Sequence, residues 1–196
     1  ERASEKGVLV YNDFFDTALA DRILADHGKA HFIVIRQVME HIANLQELMG
    51  NFRRLVHPKC WILIEVPDFE SALKYGDCSA LWEEHVNYFT ESTLIDLIEK
   101  NGFSVKHVGR FSFSGGALMV LAQHQKEGKR DVEQEIDEIK DLAMGFSEKV
   151  AKFKERLVCK LESNRNNNLK NILYGSGCRA NTVINGLQLG GYFNFI

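Results

Sequence analysis

Short apolar runs alternate with amphipathic stretches through the first hundred residues of the chain. The apolar runs predict strands over residues 8–11, 30–35 and 61–66. Between them, apolar side chains recur at intervals of three and four residues, which predicts helices over residues 17–27 and 38–56. Because strands and helices alternate, the pattern favours a parallel sheet with right-handed crossovers.

A further helix is predicted after Thr90-Glu91-Ser92-Thr93, a sequence typical of a helix cap, and it ends at Asn101-Gly102. The two runs that follow, residues 103–110 and 117–123, are separated only by a short turn. Strands joined so closely must pair antiparallel. The predicted sheet is therefore parallel and ends in one antiparallel hairpin.

The second half of the chain opens with a long amphipathic segment. Apolar residues spaced alternately by three and four predict one helix over residues 131–163, with a heptad seam and a bend at Gly145. Such a seam packs against a neighbouring element or a second subunit, so a homodimer is expected as one arrangement. Another strand is predicted at residues 171–174.

Composition excludes several classes of function. The chain has 196 residues, of which 45% are hydrophobic and 26% are charged, with a net charge of −3 and two prolines. No basic stripe with interleaved aromatics indicates a nucleic-acid ligand, and the apolar runs are too short to span a bilayer. The four cysteines and most histidines lack ligand spacing, which predicts no metal site and reduced thiols in a cytoplasmic protein.

Candidate ligand-binding residues follow the predicted strands, because open α/β sheets bind ligands beyond the carboxyl ends of their strands. Asp13 and Phe14 follow the first strand, where a carboxylate and a ring suit an adenine; a polar turn beside core aromatics is the equally open alternative. Arg36, Gln37 and His41 follow the second strand. We expect these five residues to contact a cofactor.

Several segments together resemble a known family. Gln37-Val38-Met39-Glu40-His41-Ile42 and Leu55-Val56-His57-Pro58-Lys59 are similar to the middle of class I methyltransferases, whose sheet ends in an antiparallel hairpin. Leu81-Trp82-Glu83-Glu84-His85-Val86-Asn87-Tyr88-Phe89-Thr90 resembles the Tyr-His-Glu-His…Tyr-Phe block of nucleotide-sugar C-methyltransferases. Ser114-Gly115-Gly116-Ala117-Leu118 and the segment from Tyr174 to Thr182 resemble two further segments of that family.

The resemblance implies S-adenosylmethionine as cofactor and a nucleotide-linked keto-sugar as substrate. It implies that His85 is a general base, because imidazole titrates near neutral pH, and that Glu84 orients it; a charged helix start is the structural alternative. Trp82, Glu83 and Ser114 stand where the family has tyrosine and two histidines, and we expect them at the substrate. Residues 175–180 fit GxGxxA, so Arg179 is expected to face a pyrophosphate, with a structural glycine turn as the alternative.

The resemblance divides the chain into three parts: a partial methyltransferase domain (1–125), a connecting helix (126–168) and the start of a second Rossmann-like domain (169–196). Both ends are expected to be cuts through a longer protein, with the glycine-rich cofactor loop outside the chain. The 196 residues alone are then expected to be inactive and to bind S-adenosylmethionine weakly. Two alternatives stay open: methylation of another small acceptor, and a non-catalytic scaffold organised by the heptad helix.

Overall fold

The architecture was taken from a computed structural model that describes residues 2–82, 84–112, 115–125 and 133–194. Four strands form one mixed sheet in the order β1-β2-β4-β3. The strands are β1 (Ala30–Arg36), β2 (Val56–Pro67), β3 (Phe103–Phe111) and β4 (Ala117–His124). The helices are α1 (Arg2–Glu5), α2 (Thr17–His27), α3 (Leu45–Leu55), α4 (Phe69–Tyr75), α5 (Glu91–Lys100), α6 (Glu133–Met144), α7 (Phe146–Asn166) and α8 (Cys178–Gly186).

The predicted sheet topology is confirmed. β1 and β2 run parallel, with Arg36 opposite Glu65. β4 is antiparallel to both of its neighbours, β2 and β3, so the last two strands form the expected hairpin. This mixed α/β sheet, with a parallel part and a terminal antiparallel hairpin, is Rossmann-like.

β2 lies at the centre of the hydrophobic core. Its Ile62, Ile64 and Val66 are fully buried, and side chains of α3 and α5 pack against them in one cluster. The opposite face of β1 is more open, since Phe32 and Val34 are half-exposed. The Thr90 cap holds the start of α5 as predicted, with its side chain and that of Thr93 each accepting a backbone N–H.

The predicted helix over residues 38–56 is wrong at its beginning. Residues 39–41 form a short 3₁₀ helix, and α3 begins only at Leu45, where Asn44 accepts the N–H of Glu47. The side chain of Asn87 donates to the carbonyls of Met39 and Ile42. These tertiary hydrogen bonds take up carbonyls that a continuous helix would use.

Two predicted strands are also wrong. Residues 8–11 form no strand within the described chain, because no neighbouring strand supplies hydrogen bonds to this run. Leu9, in the middle of the run, is 67% exposed. Residues 171–174 contain at most a single bridge, at Ile172, and Tyr174 is fully exposed. An apolar run becomes a strand only where a partner edge is available.

The predicted single long helix is divided at Gly145 into α6 and α7. Gly145 was the expected position of a bend. The first two residues of the predicted helix, 131 and 132, lie outside the described residues. Part of the seam packs within the chain: Phe146 lies 6.5 Å from the ring of Phe69 on α4. The structure also contains a helix over residues 69–75, α4, that the periodicity did not indicate.

No helix of the described chain has both the length and the apolar character required to cross a bilayer.

Candidate active site

The site lies at the edge of the sheet where β1 and β2 end. Because these strands are parallel, the residues that follow Arg36 and Pro67 meet at this edge. β4 is antiparallel, so its beginning comes to the same place: Pro67 pairs with Ala117, and the N–H of Asp68 donates to the Gly116 carbonyl at 3.1 Å. The sheet therefore assembles three separate loops.

A fourth part of the chain, residues 78–82 and 84–90, closes over these loops. Phe89 bridges to Asp68, and the N–H of Phe69 donates to the Phe89 carbonyl at 3.0 Å. The N–H groups of Val86 and Asn87 both donate to the carbonyl of Glu40. These hydrogen bonds hold residues 84–88 against the 3₁₀ helix that contains His41.

The resulting cavity, which we call the imidazole cavity, has a volume of about 260 Å³. Its walls combine aromatic rings, two imidazoles, carboxyl groups and one guanidinium. The residues that line it are Gln37, Glu40, His41, Pro67, Asp68, Phe69, Ala72, Asp77, Ala80, Trp82, His85, Asn87, Tyr88, Phe89, Gly115, Gly116 and Arg179.

The two imidazoles and the indole form a compact group. The ring centroid of His85 lies 4.3 Å from Trp82 and 4.9 Å from His41. Nδ1 of His41 lies 2.8 Å from the Glu84 carbonyl oxygen, which can only accept a hydrogen bond. Nδ1 of His41 is therefore the donor of this hydrogen bond, and Nε2 is the ring nitrogen that it leaves available.

The electrostatic surroundings keep His85 neutral at neutral pH. Burial lowers the pKa of His85, and the neighbouring His41 and Arg179 lower it further, while the carboxylate of Glu84 opposes these effects. Nearby, burial is the largest cause that raises the pKa of Glu40, whose side chain is almost fully enclosed. A neutral imidazole with an available lone pair can accept a proton.

Among the predicted catalytic and substrate residues, His85, Trp82 and Arg179 all line the imidazole cavity. The side chain of Glu84 is exposed, and its carboxylate makes no hydrogen bond to His85 in the described structure; its backbone carbonyl instead orients His41. Glu83 and Ser114 lie outside the described residues.

Arg179 reaches the cavity from the beginning of α8. Its Nη2 lies 2.7 Å from Asp77 and its Nε lies 3.0 Å from the Ser79 hydroxyl. The guanidinium also packs over Gly115, where a Cβ atom would collide with it and where φ is +94°. Arg179 thus links the last helix to the loops at the end of the sheet.

The predicted cofactor residues are divided between two places. Gln37 and His41 line the imidazole cavity. Phe14 and Arg36 line a second, more open cavity of about 520 Å³ at the edge of β1, which we call the edge cavity. Asp13 lies in neither; its carboxylate accepts the N–H of Phe14 at 3.0 Å.

The edge cavity presents an aromatic ring and apolar side chains. Phe14 presents a 91% exposed ring, and Val34 and Val38 add half-exposed apolar surface, which together suit an adenine face. Arg36 is engaged with Glu65, through Nε at 2.8 Å and Nη2 at 3.2 Å. The carboxylate of Glu65 compensates the positive charge of the Arg36 guanidinium. Arg36 therefore stabilises the end of the sheet and also lines the edge cavity.

Among the cavity residues that were not singled out as site residues from the sequence are Glu40, Asp77, Asn87 and Tyr88. Glu40, Asn87 and Tyr88 lie inside segments that carry the family resemblance, and their position there was the available signal. Asp77 had no local signal, because it comes to the site through the short 3₁₀ helix that follows α4.

Parallel strands followed by an antiparallel hairpin are the sheet expected of a class I methyltransferase, and comparison with known protein families agrees with this fold. Residues 3–108, more than half of the chain, match the family described as "Methyltransferase domain", and the chain belongs to this family.

Among curated proteins, the chain is 28% identical over 120 residues to C-methyltransferase NovU of Streptomyces niveus. The match covers 61% of the chain and 29% of NovU, so the chain spans less than a third of that relative's length.

Solved structures show more distant likenesses. An O-methyltransferase family protein from Burkholderia thailandensis is 15% identical with a TM-score of 0.45, covering 65% of this chain and 39% of that one. A SAM-dependent methyltransferase from Aquifex aeolicus is 12% identical with a TM-score of 0.42, covering 63% and 60%.

Proposed function

We propose that the chain forms the acceptor side of an S-adenosylmethionine-dependent methyltransferase that methylates a carbon beside the ketone of a nucleotide-linked sugar, with His85 as general base. The observation that carries this proposal is the position of the His85 imidazole, held against Trp82 in a cavity at the carboxyl end of the sheet, where burial lowers its pKa. The similarity to a C-methyltransferase, NovU, supports transfer to carbon.

The donor, when bound, supplies a methyl group on a sulfonium, which reacts by in-line displacement. The protein must therefore provide alignment and a competent nucleophile. His85 removes a proton from the carbon beside the ketone, and the C–H electron pair becomes the enolate. That carbon forms the new bond to the methyl group while the methyl–sulfur bond breaks and sulfur keeps the electron pair. The proton stays on His85 during methyl transfer and is then released to solvent.

Neighbouring residues prepare His85 for this role. Burial and His41 lower its pKa, so the imidazole enters the reaction unprotonated, and the Glu84 carboxylate stabilises the charged form that appears after proton transfer. Phe14 is proposed to hold the adenine in the edge cavity, with Asp13, the residue before it, beside that cavity and Arg36 and Gln37 at the end of β1.

The substrate's nucleotide is proposed to lie towards Arg179. Because this guanidinium already binds Asp77 at 2.7 Å, a pyrophosphate there would have to share it with, or displace, that carboxylate. A flat ring at Trp82, 4.3 Å from His85, also favours a second candidate: a planar acceptor other than a sugar, methylated at the same edge.

The experiment separates proton removal from methyl transfer. The full-length protein is incubated with a keto-sugar nucleotide in D₂O without donor, and exchange at the carbon beside the ketone is followed by NMR. We expect His85→Asn to slow exchange and turnover by about 10²–10⁴-fold, the usual contribution of a general base. His57→Asn, a change at an exposed histidine away from the cavity, is the matched control.

Because the pKa of His85 is lowered, the acid limb of the rate profile should fall at a pH below the ordinary histidine value of 6.5. Full turnover by His85→Asn would overturn the base assignment. Turnover of a planar acceptor, with no exchange in the keto-sugar, would favour the second candidate.

A further inference from the structure

Glu40, His41 and His85 form a cluster whose side chains converge in the imidazole cavity. One ligand atom from each lies within 4.8 Å of those from the other two. Glu40 and His41 come from the short helix after β1, and His85 comes from the segment that closes over it. The cluster therefore exists only in the folded chain.

The imidazole of His41 is prepared to bind a cation. Its Nδ1–H donates to the Glu84 carbonyl at 2.8 Å, which fixes the ring and leaves Nε2 as the nitrogen that can coordinate a cation. That nitrogen lies 3.8 Å from Oε1 of Glu40. A histidine whose second nitrogen donates to a carbonyl is the usual arrangement of a metal ligand, because the donation orients the ring and raises its basicity.

The carboxyl group of Glu40 lacks the partners that its burial requires. Glu40 is 1% exposed, and its Oε2 is buried with no hydrogen-bond partner in the described structure. Burying an ionised carboxylate without compensation is costly, and such groups are normally paired or coordinated to a metal. A cation between Glu40 and the two imidazoles would supply that compensation.

We propose that Glu40, His41 and His85 bind one divalent transition-metal ion of the zinc type, in a three-ligand centre whose remaining position opens into the imidazole cavity. Two imidazoles and one carboxylate are a zinc ligand set, and sites with three protein ligands leave a position for water or substrate. Zinc bonds of about 2.0–2.1 Å place tetrahedral ligand atoms about 3.4 Å apart. Binding would draw the three ligand atoms, which lie within 4.8 Å of one another, to that spacing.

A metal at this position has a functional consequence. Coordination uses the same lone pair of His85 that would accept a proton, so zinc and general-base chemistry compete for one atom. Binding of zinc is therefore expected to inhibit methyl transfer, and a chelator is expected to restore it. The metal site itself rests on the cavity and not on the proposed activity.

The test uses the chain stripped with EDTA and titrated with ZnCl₂ by calorimetry, and with Co²⁺ by visible absorption. We expect one equivalent to bind, and Glu40→Gln, His41→Ala and His85→Ala each to weaken binding by about tenfold or more. The exposed pair His31 and His57, whose rings stack at 4.5 Å, is a second possible metal-binding pair. His57→Ala is therefore the matched control and should leave affinity unchanged.

The near-isosteric Glu40→Gln variant keeps the side-chain volume, and circular dichroism of every variant checks folding. Absence of zinc binding, unchanged binding in Glu40→Gln, or loss of binding in His57→Ala would each overturn the proposal. Because no donor or acceptor is present, the result is independent of the proposed function. Zinc binding together with full turnover by His85→Asn would reject the general base and keep the metal site.

Discussion

Arg110, on β3, is the cation that compensates three carboxylates beside the imidazole cavity. Its Nε lies 3.2 Å from Asp68, its Nη2 lies 2.9 Å from Glu70 and its Nη1 lies 2.7 Å from Glu91. The side chain of Asp68 is only 3% exposed, and its second oxygen has no hydrogen-bond partner in the described structure. Replacing Arg110 by methionine keeps the aliphatic stem and removes this charge.

The expected loss follows from the unequal burial of the partners. Removing one partner of a buried ion pair costs about 3–5 kcal/mol. The side chain of Arg110 is 45% exposed, so water replaces part of its interaction, and we expect Arg110→Met to lower the free energy of unfolding by about 2–4 kcal/mol. Urea unfolding at pH 7, followed by circular dichroism, measures this difference.

The matched control is Arg54→Met. Arg54 lies 3.3 Å from Asp21, and both side chains are more than half exposed. Exposed pairs contribute about 0–1 kcal/mol, so this variant should unfold almost like the original chain. The reasoning about burial would be refuted by equal losses in the two variants.

The effect of Arg110→Met should also depend on pH. Burial raises the pKa of Glu70, but its ion pairs with Lys74 and Arg110 outweigh burial, and the net pKa is below the ordinary 4.5. A carboxyl group with a lowered pKa stabilises the fold above its unfolded value, and this contribution disappears as the pH falls through the folded value. The difference in the free energy of unfolding between the original chain and Arg110→Met should therefore become smaller below pH 4.5. A difference that does not change with pH would contradict the electrostatic explanation.

Three further predictions concern stability. Burial raises the pKa of Glu40 above 4.5, so Glu40 destabilises the fold increasingly as the pH rises from 4.5 to that raised value. Glu40→Gln, in EDTA, should therefore raise the free energy of unfolding by about 1–3 kcal/mol at pH 8 and change it little at pH 4. At Gly76, with φ +71°, a Cβ would lie 2.7 Å from Cβ of Lys149, whereas at Gly28, with φ +72°, it would meet nothing within 4 Å. Thermal unfolding should therefore show a loss of about 2 kcal/mol or more for Gly76→Ala and about 1 kcal/mol for Gly28→Ala, and similar losses would reject the close contact. Asn171 is buried and its Nδ2 donates to two backbone carbonyls at 3.1 Å, so Asn171→Ala should cost about 1–3 kcal/mol in urea; a neutral effect would show that water satisfies these carbonyls.

Local pattern alone predicted the elements whose stabilising contacts are close in sequence. The cap at Thr90 and the end of α5 at Asn101 depend on residues within one helical turn, and both are confirmed. The hairpin of β3 and β4 was predictable because a short connection permits only antiparallel pairing. The family resemblance then added the imidazole of His85 and its neighbours as site residues.

Elements that depend on distant partners were predicted less well. The run at residues 8–11 is apolar, yet no described strand pairs with it. The predicted start of a helix at residue 38 was wrong because the Asn87 side chain takes the carbonyls of Met39 and Ile42. Neither hydrogen bonding across 45 residues nor the absence of a neighbouring strand can be inferred from periodicity.

The sequence by itself determined a mixed α/β sheet with a reversed last strand, because periodicity, capping and turn length act over a few residues. The candidate base at position 85 came from the family resemblance of the segment around it. Only the tertiary structure decided what surrounds that base. Glu40 and His41 meet His85 through backbone hydrogen bonds between segments more than 40 residues apart, and the histidines therefore showed no ligand spacing along the chain. Coordination and acid–base chemistry depend on distances in space, which the sheet sets when it brings the ends of β1, β2 and the beginning of β4 to one edge.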